Sequence, residues 1–302
     1  MVNLPFGVDI DNLIEDLRKY SWEAADILLH YSGILAKSDD ETNFLKNKNI
    51  NDPVTVADLE VNDLIIKRIQ EKYKGVKWEI MSEENVKIES NNFERNSDWL
   101  WILDPLDGTK DFIEGSENYA MHLGLNFKNR TFLGIVLIPE KNELWISNAH
   151  KTWCERRDGK HILIHPPRER NLHDMKIVTS KNHRNETLKK LIEKLNFKDV
   201  IEMGSIGCKI TSILRGESQI YICLSLPSGS SPKDWDFAAP EAILRAAGGA
   251  ITNINNEELI YGGENFEQRG IIVATSNKIT HQSMCLQIKQ IIKEFNLFPL
   301  DG

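Results

Sequence analysis

Cysteine is scarce in this sequence, with four residues among 302 and no CxxC pair. A disulfide-stapled fold or a cysteine-rich zinc site would need denser and more regular spacing. We therefore expect reduced, mostly buried thiols, which are typical of a protein in a reducing compartment. The four residues are Cys154, Cys208, Cys223 and Cys285.

Positive charge is also in short supply, because 37 Lys and Arg stand against 45 Asp and Glu, giving a formal net charge of −8. Surfaces that bind polynucleotides are normally basic, so we expect no polynucleotide partner. An acidic protein that handles a phosphorylated substrate needs metal ions or local lysines to neutralise its site.

Long apolar runs are missing as well. No run approaches the length of a membrane-spanning helix. The N-terminus, MVNLPFGVDIDNLIEDL, lacks the basic segment and apolar core that mark a secretion signal. We therefore expect a cytoplasmic protein without a membrane span.

The apolar content of 41% is nevertheless enough to bury a large core in one large or two closely packed domains. The first half reads as long helices followed by antiparallel strands, and the second half alternates strand and helix. This order predicts a layered α/β protein that is α+β in its N-terminal half and α/β in its C-terminal half. We place the boundary at the Pro166-Pro167 pair, which gives domains of residues 1–165 and 166–302.

The most informative stretch, residues 99–115, reads WLWILDPLDGTKDFIEG. Its apolar run stops at Asp104, and the Pro and Gly that follow indicate a buried strand entering a tight turn. Such a turn can aim the carboxylates of Asp104 and Asp107, and the carbonyl between them, into one small volume. Oxygen ligands of this kind suit Mg²⁺, and Gly108 and the amides after it could approach an anion closely. The alternative is a strand followed by an acidic turn that binds nothing.

Three further acidic residues lie at the ends of predicted elements. Asp58 is in the first turn of a predicted helix, Glu83 follows a short predicted strand, and Asp236 is in the first turn of the helix DFAAPEAILRAAGG. Each has an ordinary explanation, since carboxylates stabilise helix N-termini and adjacent glutamates are usually solvated. Their occurrence together in one chain is more specific than any one of them.

The order of these motifs resembles the inositol monophosphatase superfamily of Mg²⁺-dependent, Li⁺-sensitive phosphatases. The motifs are TVAD, SEE, WILDPLDGTKDF and WDFAAPEA followed by a Gly-Gly stop. The DPLDGTKDF form looks most like the 3′(2′),5′-bisphosphate nucleotidase branch, as do Ser180-Lys181-Asn182-His183 and the Gly204-Ser205 pair ahead of Lys209. The resemblance implies a layered α-β-α-β-α sandwich.

The resemblance also implies roles for the matching residues. Two or three Mg²⁺ ions would bind in the site, Mn²⁺ could replace them, and Li⁺ would inhibit. The implied metal ligands are four carboxylates and one backbone carbonyl, those of Glu83, Asp104, Asp107, Asp236 and Leu106. Asp58 and Thr109 would orient the attacking water with help from Glu83, and the Gly108 and Thr109 amides would hold the departing phosphate.

The rest of the substrate needs its own contacts. Lys209, in the first turn of a predicted helix, would meet a second phosphate, although a solvated lysine is the alternative. Ser180, His183 and Ser205 are the other substrate-binding candidates, and a helix N-cap explains the Ser180–His183 segment nearly as well. The chain departs from the branch at residues 206–208, Ile-Gly-Cys, where a second serine is frequent.

These features favour hydrolysis of 3′-phosphoadenosine 5′-phosphate, and by extension of its sulfated precursor, a reaction that would serve sulfate assimilation. One alternative keeps the chemistry but takes inositol monophosphate or a sugar bisphosphate as substrate. Another is a non-catalytic protein that binds metal and phosphate. A small phosphorylated metabolite is the expected partner, the protein is expected to be a monomer or homodimer, and residues 38–52 could close over the site.

Overall fold

Two β-sheets and eight α-helices make up the described part of the chain, which in this computed structural model comprises residues 4–36, 56–89, 96–165, 168–182 and 184–300. The helices are α1 (Ile10–Leu35), α2 (Val56–Lys72), α3 (Glu83–Glu89), α4 (Thr109–Ile113), α5 (Glu186–Leu195), α6 (Ile206–Leu214), α7 (Asp234–Ala246) and α8 (Lys278–Glu294). The strands are β1 (Glu79–Ser82), β2 (Trp99–Asp107), β3 (Ala120–Phe127), β4 (Arg130–Ile138), β5 (Glu143–Ser147), β6 (Thr152–Glu155), β7 (His161–Ile162), β8 (Lys176–Ser180), β9 (Asp199–Met203), β10 (Ile220–Leu224), β11 (Ala250–Asn253) and β12 (Ile271–Thr275). Residues 38–52 and the Pro166-Pro167 pair lie outside the described residues, so the loop's closing role and the domain boundary stay predictions.

The two sheets differ in how their strands are connected. The first has the order β1 to β7, with β1 parallel to β2 and every later pair antiparallel. The second has the order β11-β12-β10-β8-β9, in which β8 is parallel to both of its neighbours and β12 is antiparallel to both of its own. Helices alternate with the strands of the second sheet, as the sequence predicts for its C-terminal half.

Helices form three layers around these sheets. α1 and α2 cover the outer face of the first sheet, α6 and α7 lie between the sheets, and α5 and α8 cover the outer face of the second. The predicted α-β-α-β-α sandwich is therefore confirmed.

Strand β2 explains why a nearly continuous apolar run stands at the centre of this fold. Side chains alternate between the two faces of a strand. Trp99, Trp101 and Leu103 therefore pack toward α1 and α2, whereas Leu100 and Ile102 face the α6–α7 layer. Because helices cover both faces, the strand needs apolar residues at every position rather than at alternate ones.

The described helices include none that is both long and apolar enough to cross a membrane. All four cysteines lie in the described part and are free thiols, three of them buried and Cys223 half-buried. This agrees with the predicted reduced state.

Candidate active site

The C-terminal end of β2 brings two of the predicted ligands together. Residues three apart in a regular strand point to opposite faces of the sheet. The pairing of β2 with β3 is irregular between Asp104 and Asp107, and the Leu106 amide donates to Oδ1 of Asp104 at 3.1 Å. Carboxylate oxygens of Asp104, Asp107 and Asp236 consequently lie within 4.8 Å of one another.

Asp236 belongs to this group because α7 begins beside it. It is the third residue of the helix, and its Oδ2 accepts the Lys233 amide at 2.5 Å in a capping arrangement. The helix-cap explanation of Asp236 is thus correct, and it is compatible with a ligand role because the carboxylate has a second oxygen.

Asp107 is held by the N-terminus of α6. Its Oδ2 accepts the Ser205 hydroxyl at 2.7 Å and the amides of Ile206 and Gly207 at 2.5 and 3.3 Å. Free amides and the positive end of the helix dipole both favour a carboxylate at this place. The bonds set the orientation of Asp107 and connect it to the helix that carries Lys209.

Glu83 and Asp58 complete the acidic group from two other helices. Glu83 is the first residue of α3. One turn later, Nζ of Lys87 lies 2.9 Å from Oε1 of Glu83 and 3.0 Å from Oε1 of Glu84. Asp58 is buried in the first turn of α2, near enough for its charge to raise the pKa of Asp104. The structure therefore brings all five predicted acidic residues to one region.

Burial raises the pKa of Asp104 and Asp236 well above the usual range and also raises the pKa of Glu83, and neighbouring carboxylates raise all three further. Carboxylates crowded in this way are costly to ionise unless a cation balances them. A donor set made of carboxylate and carbonyl oxygens is the kind that Mg²⁺ prefers. The residues present thus fit a Mg²⁺ site.

The turn after Asp107 is built tightly. Gly108 has a φ of 89°, and a Cβ there would lie 2.9 Å from the Asn118 carbonyl oxygen, so the position requires glycine. Thr109 begins α4, and its hydroxyl donates to the Leu106 carbonyl at 3.1 Å. The water-orienting pair of Thr109 with Asp58, and metal ligation by the Leu106 carbonyl, stay predictions.

A cavity of about 910 Å³ extends from the acidic group toward β10 and α5. Lys209 lies in its wall and is 1% exposed, with its ammonium donating to the Gly204 carbonyl and 5.5 Å from the centroid of the Tyr221 ring. Burial lowers the pKa of Lys209. The alternative of a solvated lysine is therefore wrong.

The other substrate-binding candidates have different outcomes. Ser180, at the end of β8, lines the cavity. Ser205 does not, because its fully buried hydroxyl caps α6 by accepting the Cys208 amide at 3.1 Å and donates to Asp107. Both hydrogen bonds of Ser205 thus support the protein itself, and its contact with substrate stays a prediction. His183 lies outside the described residues.

Three residues around the site escaped the sequence analysis. Lys87 could have been found, because three and four residues separate it from Glu84 and Glu83 on one helix face. Asp111 is buried and accepts hydrogen bonds from the Ser116 hydroxyl at 2.9 Å and from the side-chain amide of Asn182 at 3.2 Å. The second bond connects α4 to the rim of the cavity. His122 gave no signal beyond its position in an apolar strand.

Comparison with known proteins agrees with this geometry. A family model described as "Inositol monophosphatase family" matches residues 9–293, nearly the whole chain. The chain belongs to the inositol monophosphatase family. The resemblance stated from the motifs is thus confirmed. Because this family is Mg²⁺-dependent and the chain has an acidic cluster that could hold a metal, the chain is a metal-dependent phosphatase.

Curated relatives within this family carry more than one name. A 3′(2′),5′-bisphosphate nucleotidase CysQ of Buchnera aphidicola is 33% identical over 214 residues, 70% of this chain and 75% of that protein. CysQ of Escherichia coli strain K12 is 27% identical over 71% of this chain and 82% of its own length. The Nus factor SuhB of Pasteurella multocida is 27% identical over 78% of this chain and 82% of its own length.

Solved structures share the inositol monophosphatase fold. The Thermotoga maritima IMPase superposes with a TM-score of 0.70 at 20% identity, covering 94% of this chain and 99% of that one. The inositol monophosphatase from Anabaena gives a TM-score of 0.71 at 19% identity, covering 94% and 97%. At these identities the likeness concerns the fold alone.

Proposed function

We propose that this phosphatase removes the 3′-phosphate of 3′-phosphoadenosine 5′-phosphate, and that it can also act on the 5′-phosphosulfate precursor. The observation that carries the proposal is the buried ammonium of Lys209 in the wall of the large cavity that the acidic group also lines. A buried cation in that wall suits a substrate with a second anionic group. The CysQ relatives support the same choice.

In this proposal the chain's residues bind, orient and neutralise. Glu83, Asp104, Asp107 and Asp236 would hold Mg²⁺ together with the Leu106 carbonyl. Bound Mg²⁺ would lower the pKa of a water molecule and neutralise charge on the phosphoryl oxygens.

Water attack would be directed by Asp58 and Thr109, which would hold the water in line with the bond that breaks. A new bond forms between the water oxygen and phosphorus while the bond from phosphorus to the ribose 3′-oxygen breaks, and that oxygen takes up a proton. The amides of Gly108 and Thr109 would hold the phosphate as it departs.

A second candidate substrate is inositol monophosphate, because the family model that matches the chain is described as that of inositol monophosphatases. Phosphate release from 3′-phosphoadenosine 5′-phosphate, inositol 1-phosphate and fructose 1,6-bisphosphate, each with Mg²⁺, separates the candidates. We expect kcat/KM for the nucleotide to exceed the others by about tenfold or more, since one well-used anion contact is worth roughly 1.4 kcal/mol. A preference for inositol 1-phosphate would overturn the proposal, and turnover equal to that of Asp107→Asn would favour a non-catalytic binder.

The Lys209→Met variant tests the carrying observation directly. We expect KM for the bisphosphate to rise about 10- to 100-fold with kcat little changed, because the ammonium contacts the group that is not cleaved. Adenosine 3′-monophosphate, which lacks the 5′-phosphate, should show no such rise. Lys198→Met, at an exposed lysine, is the matched control. An unchanged KM for the bisphosphate would remove Lys209 from the site.

A further inference from the structure

His122 occupies an unusual position in β3. It is fully buried and pairs across the sheet with Asp104. Its Nε2 lies 3.3 Å from Oδ2 of Asp107, and its Nδ1 lies 3.3 Å from the Trp235 carbonyl oxygen. Both ring nitrogens therefore face oxygen atoms of the elements that carry the predicted metal ligands.

These two contacts join parts of the site that are distant in sequence. Asp107 ends β2, whereas Trp235 immediately precedes Asp236 in the first turn of α7. The imidazole stands between them. Because a carbonyl oxygen can only accept, Nδ1 donates to Trp235, whereas Nε2 packs against Oδ2 of Asp107 without a hydrogen bond. The ring is thus bonded to the start of α7 and in contact with the end of β2, and it sets the spacing between them. Groups that orient metal ligands from behind commonly influence metal affinity as strongly as some ligands do.

Gly207 packs directly against this ring. Its amide is one of the donors to Oδ2 of Asp107, and a Cβ at this position would overlap Nε2 of His122 and lie 2.8 Å from Cγ1 of Val136. The imidazole thus fills the space that any side chain at residue 207 would need.

We propose that His122 is a positioning residue that fixes Asp107 relative to Asp236, and that Gly207 is the partner whose missing side chain admits the imidazole. The inference rests on Asp107 as a metal ligand but not on which phosphate ester is hydrolysed. The measurement that tests it is therefore Mg²⁺ affinity, which does not depend on the outcome of the substrate comparison.

The experiment compares the wild type with His122→Ala, Gly207→Ser and the double variant. Calorimetric titration of each metal-free protein with Mg²⁺ gives the dissociation constant, and thermal unfolding shows that each protein is folded at the temperature used. We expect either single change to weaken Mg²⁺ binding by about 10- to 100-fold. The double variant should bind no worse than the weaker single one, because removal of the ring makes room for the serine.

His281→Ala is the matched control, since His281 is equally buried but lies in α8, among Thr252, Thr275 and Cys285. It should lower the unfolding temperature and leave the Mg²⁺ dissociation constant within about twofold, since it only removes packing and hydrogen bonds. A Mg²⁺ affinity of His122→Ala within about twofold of the wild type would overturn the proposal, as would additive losses in the double variant. Should His122→Ala fail to fold, an unchanged affinity in Gly207→Ser would overturn it equally.

Discussion

At the scale of single residues, the site is defined by carboxylates placed where burial opposes their charge. Asp104 is 1% exposed and lies among the charges of Glu83, Asp107, Asp236 and Asp58. Such a residue lowers the stability of the metal-free protein, and the stability returns when a divalent cation balances the charge. Function and stability are therefore in conflict at this position.

Asp104→Asn tests this conflict, because it removes the charge and keeps the volume. We expect the metal-free variant to gain about 1 kcal/mol or more in free energy of unfolding, since the raised pKa of Asp104 marks an unfavourable ionised state. Turnover should be lost, and Mg²⁺ should not raise the melting temperature of the variant, whereas we expect it to raise that of the wild type. Calorimetric unfolding with and without Mg²⁺ measures both effects.

The control for this change is Asp199→Asn, at an exposed carboxylate of the second sheet that pairs with Lys176 at 3.3 Å. It should alter neither the metal response nor turnover, because surface ion pairs contribute little. A metal-free Asp104→Asn protein that is less stable than the wild type, yet still responds fully to Mg²⁺, would contradict the prediction.

At the scale of elements, α7 is placed by two glycines of the first sheet. A Cβ at Gly134 in β4 would lie 2.6 Å from the Ala239 carbonyl oxygen and 2.7 Å from Cβ of Ala242. A Cβ at Gly124 in β3 would lie 3.1 Å from Cβ of Ala238. The helix can approach the sheet this closely only because neither strand has a side chain there, and this approach brings Asp236 to the acidic group.

Gly134→Ala should therefore move α7 away from the sheet. We expect a loss of about 1–3 kcal/mol in the free energy of unfolding from overpacking, together with a fall in kcat as Asp236 shifts. Chemical denaturation and steady-state kinetics are the measurements. Gly33→Ala, in the last turn of α1 at an exposed position with open space around it, is the control and should be neutral or stabilising by up to about 1 kcal/mol. Equal effects of the two changes would show that the close approach of α7 does not matter.

At the scale of the whole molecule, α8 closes the outer face of the second sheet, and a buried histidine connects them. Nε2 of His281 lies 2.7 Å from the Thr252 hydroxyl in β11, and Nδ1 lies 2.8 Å from the Thr275 hydroxyl in β12. Burial lowers the pKa of His281 to about 4. An unfolded histidine has a pKa of about 6.5.

Acidification should therefore destabilise the fold through His281. Between about pH 6.5 and 4 the unfolded chain binds a proton that the folded protein does not, so the contribution of His281 falls as pH falls, by about 3 kcal/mol at pH 4. We expect the difference in unfolding free energy between wild type and His281→Gln to shrink by that order over this interval. Denaturant unfolding at several pH values measures it, with His30→Gln on the exposed face of α1 as control. A difference that stays constant with pH would contradict the prediction.

Much of this molecule could be predicted from local patterns. Apolar periodicity and turn residues indicated most helices and strands, because each depends on neighbours a few residues away. The acidic motifs at element ends indicated the metal chemistry, and their order was enough to identify the family. The run from Trp99 to Leu103 was interpreted correctly as a buried strand, although β2 continues through an irregular turn to Asp107.

Other features depended on the tertiary structure. The sequence alone gave no reason to place Lys209 in a buried wall, to assign Ser205 to Asp107, or to pair His122 with Gly207, because each depends on contacts between elements far apart in the chain. Residues in the sequence carry chemical identity and local geometry. Distances between elements arise only when helices and sheets pack against one another, and those distances determine which of the acidic and basic groups can act together.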